Sequence, residues 1–149
     1  MTKKSCCFFG KTKLGYQKRD KAFELLYRQI EALIKDGYTE FILSGHGDFD
    51  STARIAVISL RMRFPNIKTI YYHACKYEDN QALLQTIYPP IEDISQHQAI
   101  VYRNYAMIDS SDYCIFYVVR NKSGAVNKAI KYAIKNNKPY INLADILSE

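Results

Sequence analysis

The chain has 149 residues, of which 48% are hydrophobic and 24% are charged, and its formal net charge is +6. This length and composition are typical of a globular domain with a substantial core, so we expect residues 1–149 to form a single domain. No apolar run approaches the roughly 20 residues that a membrane-spanning helix needs, and the apolar stretch near the start is too short for a signal peptide. The sequence therefore predicts a cytoplasmic protein with no membrane partner.

The four cysteines, Cys6, Cys7, Cys75 and Cys114, form no C-x-x-C pair. Three of them lie in apolar, strand-like runs. Because adjacent side chains of a strand point to opposite faces, Cys6 and Cys7 could not easily share a metal ion. We expect reduced, buried thiols, and we predict no metal site and no cofactor.

The positive charge is distributed unevenly. Residues 1–21 hold seven Lys or Arg residues and one Asp, and residues 119–138 hold six Lys or Arg residues and no acid. Two such segments could converge on one anionic ligand, or each could be a solvated face. A nucleic-acid groove more typically shows a broader basic stripe with exposed aromatic residues, and the 13 tyrosines leave that alternative open.

The first half of the chain alternates between strand and helix patterns. Predicted strands occupy residues 6–10, 40–45 and 68–74. Apolar residues recur at helical spacing before Gly37, at Ala22, Leu26, Ile30 and Leu33. A second helical set ends before Pro65 and comprises Ala53, Ala56, Val57 and Leu60.

The second half continues the alternation after a stretch without a clear pattern, residues 76–94. A short helix over residues 80–85 is one option there, and Pro89 and Pro90 force a break. A helix over 95–108 and a strand over 113–119 follow. The next helix has its apolar positions at Val126, Ala129, Ile130, Ala133 and Ile134. A last strand covers 139–143, after which Asp145 is a candidate cap.

This alternation predicts an α/β, Rossmann-like fold, with a mostly parallel sheet of about five strands and helices on both faces. Right-handed crossovers place the strand-to-helix loops at the carboxyl edge of such a sheet, where ligands of these folds bind. Four segments are expected there: residues 8–13, 44–50, 73–77 and 118–126.

Glycines in these segments allow the backbone to approach a ligand, and a helix N-terminus offers N–H donors to an anion. The segment 123–125 opens a clear amphipathic helix and is a candidate phosphate cradle. Asp50 is expected to be the N-cap of the helix after the second loop. Asp48 is a weak catalytic candidate, because a D-x-D pair alone rarely forms a metal site. His46 could contact a ligand or occupy a turn.

The helix over 95–108 carries further candidates. Arg103 falls in its earlier part, within reach of the ligand edge. Asp109 and Asp112 fall at the opposite edge, where we expect them to cap helices and form turns. Tyr102 and Tyr105 could pack in the core or stack on a base, and core packing is the preferred interpretation.

Three motifs carry a family resemblance that extends over essentially the whole chain: "SGHGDFDSTA", "RNYAMIDSSDYCIFY" and "KSGAVNKAIKYAIKNNKPYINL". Together with the first strand and its glycine, the chain resembles the YpsA-like branch of the SLOG superfamily. That superfamily includes the Lonely Guy phosphoribohydrolases and the DNA-processing protein DprA. The resemblance implies a nucleotide or nucleotide-derived ligand at the glycine loops. Because relatives dimerise, a homodimer is a further expectation.

By this resemblance, eight residues match binding-motif positions: Gly10, Ser44, Gly45, Gly47, Arg103, Asn104, Ser123 and Gly124. The loop pattern adds Lys11, His46 and Ala125 as candidate ligand-binding residues. The chain also departs from its relatives. It has Lys11 and Thr12 where many have His and Arg, and Ala125 where a threonine is usual. The helix after Gly124 lacks the glutamate with which the Lonely Guy enzymes cleave N-glycosidic bonds, and an oxocarbenium-like transition state needs a nearby carboxylate.

Three functions are consistent with the sequence. The leading hypothesis is binding or sensing of a nucleotide or nucleotide-sugar. One alternative is an enzyme that cleaves an N-glycosidic bond of a nucleotide, with Asp48 or Glu92 in place of the missing glutamate. The other is binding of single-stranded nucleic acid, as in DprA.

Overall fold

The computed structural model describes residues 3–10, 13–44, 47–72, 85–87, 96–119 and 124–146. Strands and helices alternate through this part of the chain. The strands are β1 (Lys4–Gly10), β2 (Tyr38–Leu43), β3 (Lys68–Tyr72), β4 (Gln85–Ile87), β5 (Tyr113–Tyr117) and β6 (Tyr140–Asn142). The helices are α1 (Tyr16–Lys35), α2 (Gly47–Arg61), α3 (Gln96–Asp109), α4 (Ala125–Lys135) and α5 (Leu143–Ile146).

The strands form one parallel sheet in the order β4-β3-β2-β1-β5-β6. The α/β, Rossmann-like prediction is therefore confirmed, with β4 added to the five expected strands. β4 has only three residues and lies at the edge of the sheet, so it is too short to show a clear alternating pattern. Gln85 belongs to it, whereas residues 80–84 of the optional helix lie outside the described part of the chain.

The two faces of the sheet carry separate hydrophobic cores. On one face α1 and α2 pack against Phe8 and Phe41, and on the other α3 and α4 pack against Phe9 and Phe116. Neighbouring residues of β1 thus serve opposite cores, as the alternation of side chains along a strand requires. Cys6 and Cys7 likewise lie in different cores, which confirms that they are buried on opposite faces.

The helical patterns predict most buried positions correctly. The four apolar positions predicted in α1 and the four predicted in α2 are buried. α1 ends next to Gly37, which has a φ of 100° and stops the helix as expected. On α4, however, the side chain of Ile134 is 44% exposed, so its assignment to the apolar face is wrong. Ile134 follows buried Ala133 by one residue, a rotation of about 100° that carries it toward solvent.

Among the described helices, none has both the length and the apolar content that a bilayer crossing requires. The same residues contain no cluster of three or more His, Cys, Asp or Glu side chains arranged to hold a metal ion.

Candidate functional site

The sheet order places a topological switch between β1 and β5. From β1 the chain continues to β2 and β3 on one side, whereas β5 and β6 lie on the other side. Loops that leave two such strands diverge, and the crevice between them is the usual ligand site of an open parallel sheet. The predicted residues Gly10, Ser44, Gly47, Gly124 and Ala125 all lie at this carboxyl edge, because each ends a strand or begins the helix after one.

Asp50 closes the loop that follows β2. Its Oδ2 atom accepts a hydrogen bond from the Ser44 backbone N–H at 2.9 Å, and the Ser44 hydroxyl donates to the same oxygen. Both residues are buried. Because α2 begins at Gly47, Asp50 is the fourth residue of the helix, and the prediction that it is the N-cap is wrong. Its carboxylate instead reaches back to the end of β2 and fixes the entry into the helix.

Asp48 joins the beginnings of α1 and α2. Its Oδ2 atom accepts the Leu14 backbone N–H at 2.7 Å and forms an ion pair with the Arg19 guanidinium at 3.0 Å. The hydrogen bond from Leu14, followed by the contact with Arg19, lowers the pKa of Asp48 below its usual value. A general acid needs the opposite shift, so this carboxyl group is poorly suited to protonate a leaving group. Catalysis by Asp48 remains a prediction, and the contacts give it a structural role.

Phe49 accounts for the glycine at the end of β1. A Cβ atom on Gly10 would lie 2.3 Å from Cγ of Phe49, which is far inside van der Waals contact. The Phe49 ring is fully buried and makes an edge contact with the Tyr117 ring at a centroid distance of 5.9 Å. Close packing of Phe49 against the end of β1 therefore requires glycine at this position. A ligand contact by Gly10 stays a prediction.

The N-terminus of α4 lies open at this edge. Its N-cap is Gly124, whose φ of 123° is one that other residues rarely adopt. No heavy atom lies within 4 Å of the position that a Gly124 Cβ would occupy. As a glycine, Gly124 supplies no capping side chain, and the first regular hydrogen bond of the helix, from Lys128 N–H to the Gly124 carbonyl, is formed at 3.1 Å. Anion binding at this helix terminus stays a prediction.

Arg103 and Asn104 form a buried pair in α3. The Arg103 side chain donates from Nε and NH2 to the Asn104 Oδ1 at 3.1 and 2.8 Å. Arg103 is the eighth of the fourteen residues of α3, in the middle of the helix rather than in its earlier part as predicted. The structure thus shows the pair orienting one another. Ligand binding by either residue stays a prediction.

The two tyrosines of α3 differ in their exposure, and Asp109 and Asp112 lie at the opposite, amino edge of the sheet. Tyr102 is 50% exposed, so the core-packing interpretation is wrong for it, whereas Tyr105 stacks on Tyr132 of α4 at 4.1 Å. Asp112 accepts the Ser5 backbone N–H at 2.9 Å at the amino edge of the sheet. Asp109 accepts the Tyr132 hydroxyl at 2.8 Å, and this bond raises the pKa of Tyr132. Both aspartates therefore join elements rather than cap helices.

The two basic segments, residues 1–21 and 119–138, lie only partly at the carboxyl edge of the sheet. At the amino edge the Lys4 ammonium donates to the Asp36 carbonyl at 3.2 Å, and the Lys138 ammonium donates to the Ser111 carbonyl at 2.6 Å. At the carboxyl edge, Arg19 is paired with Asp48. The two segments are thus divided between opposite ends of the sheet.

Four predicted ligand-binding residues lie outside the described part of the chain: Lys11, Gly45, His46 and Ser123. The sequence interpretation also missed Phe49, Leu14 and Arg19, which shape the described site. Phe49 precedes buried Ala53 and Ala56 by four and seven residues, so its helical spacing was a usable signal. For Leu14 and Arg19 no local signal exists, because their partner Asp48 is distant in sequence.

No protein-family model matches the chain, and no curated protein sequence matches it. Solved structures do. DprA from Helicobacter pylori, described for its single-stranded DNA binding mode, aligns with a TM-score of 0.64 and 18% identity over 93% of this chain and 64% of the DprA chain. DprA from Streptococcus pneumoniae aligns with a TM-score of 0.66 and 11% identity over 93% of this chain and 49% of that one.

A second group of similar structures binds a cofactor. The molybdenum cofactor binding protein of Rippkaea orientalis aligns with a TM-score of 0.60 and 18% identity over 99% of this chain and 83% of its own. The chain spans 64% and 49% of the two DprA structures and 83% of the cofactor-binding one. At these identities the comparisons show one thing, that this chain shares the fold of DprA and of molybdenum cofactor binding proteins.

Proposed function

We propose that this protein binds a nucleotide or nucleotide-derived ligand at the carboxyl edge of its sheet, with the ligand's phosphate at the N-terminus of α4. The observation that carries the proposal is the open space at Gly124, the N-cap of α4, where no heavy atom lies within 4 Å of the position of a Cβ atom. The helix follows β5, one of the two strands at the topological switch. Backbone N–H groups and the positive end of the helix dipole favour a phosphate at a helix N-terminus.

The N-terminus of α2 is a less suitable place for a phosphate. The first turn of α2 carries two carboxylates, Asp48 and Asp50, which already use the positive end of that helix. A phosphate there would face two negative charges. In our proposal the phosphate therefore lies at α4, where segment 123–125 is the candidate cradle, and not at the beginning of α2.

The similar structures support binding as the general role. One group is described as binding single-stranded DNA and the other as binding or carrying the molybdenum cofactor. Their shared fold also supports the assignment of this chain to the SLOG superfamily. Its placement in the YpsA-like branch rests on the sequence motifs. We propose binding rather than N-glycosidic cleavage because Asp48 is held by Leu14 and Arg19.

The test is ligand binding by the wild-type protein and by a Gly124→Asp variant. We expect one or more of a panel of adenine nucleotides, guanine nucleotides and ADP-ribose to raise the melting temperature of the wild type, and calorimetry to give a saturable isotherm. The added carboxylate should weaken binding at least about tenfold, or about 1.4 kcal/mol, by repelling the phosphate.

Two control variants separate the effect of the added carboxylate from the effect of backbone strain at Gly124. Gly124→Ala imposes the same unfavourable φ without a carboxylate, so it should bind more tightly than Gly124→Asp. Gly15→Asp adds a carboxylate at the N-cap of α1, where no heavy atom lies within 4 Å of the new Cβ, and should retain wild-type affinity. If no compound of the panel shifts the melting temperature, or if Gly15→Asp weakens binding as much as Gly124→Asp, the proposal is wrong.

A second candidate, binding of single-stranded nucleic acid, is favoured by the surface of α3 and α4. Lys128, Lys131 and Lys135 are exposed along α4, and Tyr102 is half-exposed on α3. Lysines that follow a phosphate backbone and exposed aromatic rings that stack on bases are the usual parts of such a surface.

Salt dependence tests this candidate. If an oligonucleotide contacts both Lys131 and Lys135, replacing both with Glu should lower the slope of log affinity against log salt by at least about 1.4, at roughly 0.7 per phosphate contact in single strands. Lys68→Glu, at the exposed start of β3, should leave the slope unchanged. Equal slopes for the wild type and the double variant would contradict nucleic-acid binding by this surface.

A further inference from the structure

The outer face of α2, defined here by Ile55, Ile58 and Met62, is an exposed apolar stripe. These side chains are 54%, 46% and 88% exposed. They follow one another at spacings of three and four residues, so they lie on one side of the helix. The other side of α2, which includes Ala53, Val57 and Leu60, is buried against the sheet. Within the described part of the chain the helix therefore has two apolar sides, and only one of them is covered.

Positive charge flanks this stripe. Arg54 and Arg61 are exposed and, by helical geometry, lie together on one border of the outer face. Neither forms an ion pair with any residue that the structure describes. Arg63, in contrast, pairs with Glu31 of α1 at 2.7 Å. From residue 51 to residue 77 the sequence contains no Asp or Glu.

We propose that the outer face of α2 docks an amphipathic helix of a partner protein whose apolar residues are flanked by Asp or Glu. The apolar stripe fits the i, i+3, i+7 anchors of a helical partner, and the two arginines supply a charge that only an acidic partner complements. This inference is independent of the proposed function, because the stripe lies on the outer side of α2 and not at the carboxyl edge.

Charge decides between this partner and a second copy of the chain. Two α2 helices paired antiparallel about a two-fold axis near Ile58 would bring Arg54 of each copy close to Arg61 of the other. No acid of the outer face would compensate them. Like charges placed together in an interface are unfavourable, so self-association through this face is disfavoured.

The experiment is selection from a displayed library of helical peptides with leucines on one face and either glutamates or lysines at the flanking positions. On the wild-type protein we expect the glutamate peptides to be enriched at least about tenfold over the lysine peptides. Met62→Glu and Ile58→Asp should abolish the enrichment. Ile134→Glu, an equally simple change at an exposed apolar residue of α4, should preserve it. Arg54→Glu combined with Arg61→Glu should reverse the preference toward lysine peptides.

Circular dichroism melts show whether each variant is folded. We expect all of them to fold, because the substituted side chains are exposed. Equal recovery of glutamate and lysine peptides would overturn the proposal, as would an enrichment that survives both Met62→Glu and Ile58→Asp. A concentration-dependent dimer in sedimentation velocity that Met62→Glu dissociates would also overturn it, because it would assign the outer face to a second copy. Binding of the wild type to anionic phospholipid vesicles, lost in Met62→Glu, would overturn it in favour of a membrane surface.

Discussion

Phe49 has no exposed surface, and its ring lies where a side chain on Gly10 would begin. The sequence presents Gly10 as a candidate for ligand approach, since glycine at the end of a strand permits both uses. The structure shows that an aromatic ring of the same chain, that of Phe49, fills the space beside Gly10. A residue that looks functional by its position can thus be required by packing alone.

Gly10→Ala tests this packing role. Because the new methyl group would overlap Phe49 by more than 1 Å, we expect the variant to lose about 1–3 kcal/mol of unfolding free energy in urea denaturation. In a Phe49→Ala background the same substitution should cost clearly less, since the obstructing ring is gone. Gly15→Ala, which meets nothing within 4 Å, is the matched control and should be neutral or slightly stabilising. An equal cost of Gly10→Ala with and without Phe49 would contradict the interpretation.

At the scale of elements, Asp48 connects the beginnings of α1 and α2, two helices that also pack against each other. The carboxylate at the beginning of α2 holds the segment before α1 through Leu14 and the first turn of α1 through Arg19. Together with the bond between Asp50 and Ser44, it fixes the position of the α2 N-terminus relative to the sheet. Asp48, the catalytic candidate of the sequence, and Asp50, expected there to be a helix cap, both make contacts that connect elements.

The lowered pKa of Asp48 predicts a pH-dependent contribution to stability. A carboxyl group whose pKa is lower in the folded state stabilises the fold above its ordinary pKa of about 3.9, and this contribution is lost as the pH falls through the folded pKa. Asp48→Asn should therefore be less stable than the wild type at pH 7, and the difference should shrink as the pH falls through the lowered pKa of Asp48 in the folded state.

Urea denaturation of both proteins across this pH range measures the effect. Glu24→Gln is the matched control, because Glu24 pairs with Arg28 at 3.9 Å on an exposed side of one helix and connects no second element. Its stability should differ little from that of the wild type at any pH. A difference between Asp48→Asn and the wild type that does not change with pH would contradict the assignment.

At the scale of the whole molecule, two hydrophobic cores lie on opposite faces of one sheet. Each core contains a buried thiol, whose reactivity can be used to measure the opening of that core. Cys6 lies in the core beneath α1 and α2, and Cys7 lies in the other core, 3.5 Å from the Cys114 sulfur. Burial raises the pKa of the Cys6 and Cys7 thiols well above their usual value, with Cys114 as a further cause for both. Both thiols are thus held in the unreactive, protonated form.

Thiol labelling tests whether the two cores unfold together. In a Cys75→Ser background, iodoacetamide should modify Cys6 and Cys7 only through opening of the fold, with the same opening free energy as global unfolding in urea. Mass spectrometry of labelled peptides at increasing urea gives the two values separately. Rapid labelling of either thiol in the absence of urea would contradict this prediction, and two different opening free energies would show that the cores open independently.

The local patterns of the sequence are sufficient for much of this architecture. Helical spacing predicted the buried residues of α1 and α2, and the alternation of strands and helices predicted the parallel sheet and its ligand edge. These signals are local because helices and strands repeat every few residues; the ligand edge inferred from them stays a prediction. β4 was missed because three residues cannot show such a period. Ile134 was misplaced because it lies at the border of an apolar stripe.

The sequence by itself thus determined the fold class and the reduced, buried state of Cys6, Cys7 and Cys114. Only the tertiary structure decided which contacts Asp48 and Gly10 make. Asp48 meets Leu14 across 34 positions of sequence, and Gly10 meets Phe49 across a similar distance. Such pairs are created when helices pack on the sheet, so no periodicity encodes them. They give Asp48 and Gly10 structural contacts that local patterns could not show.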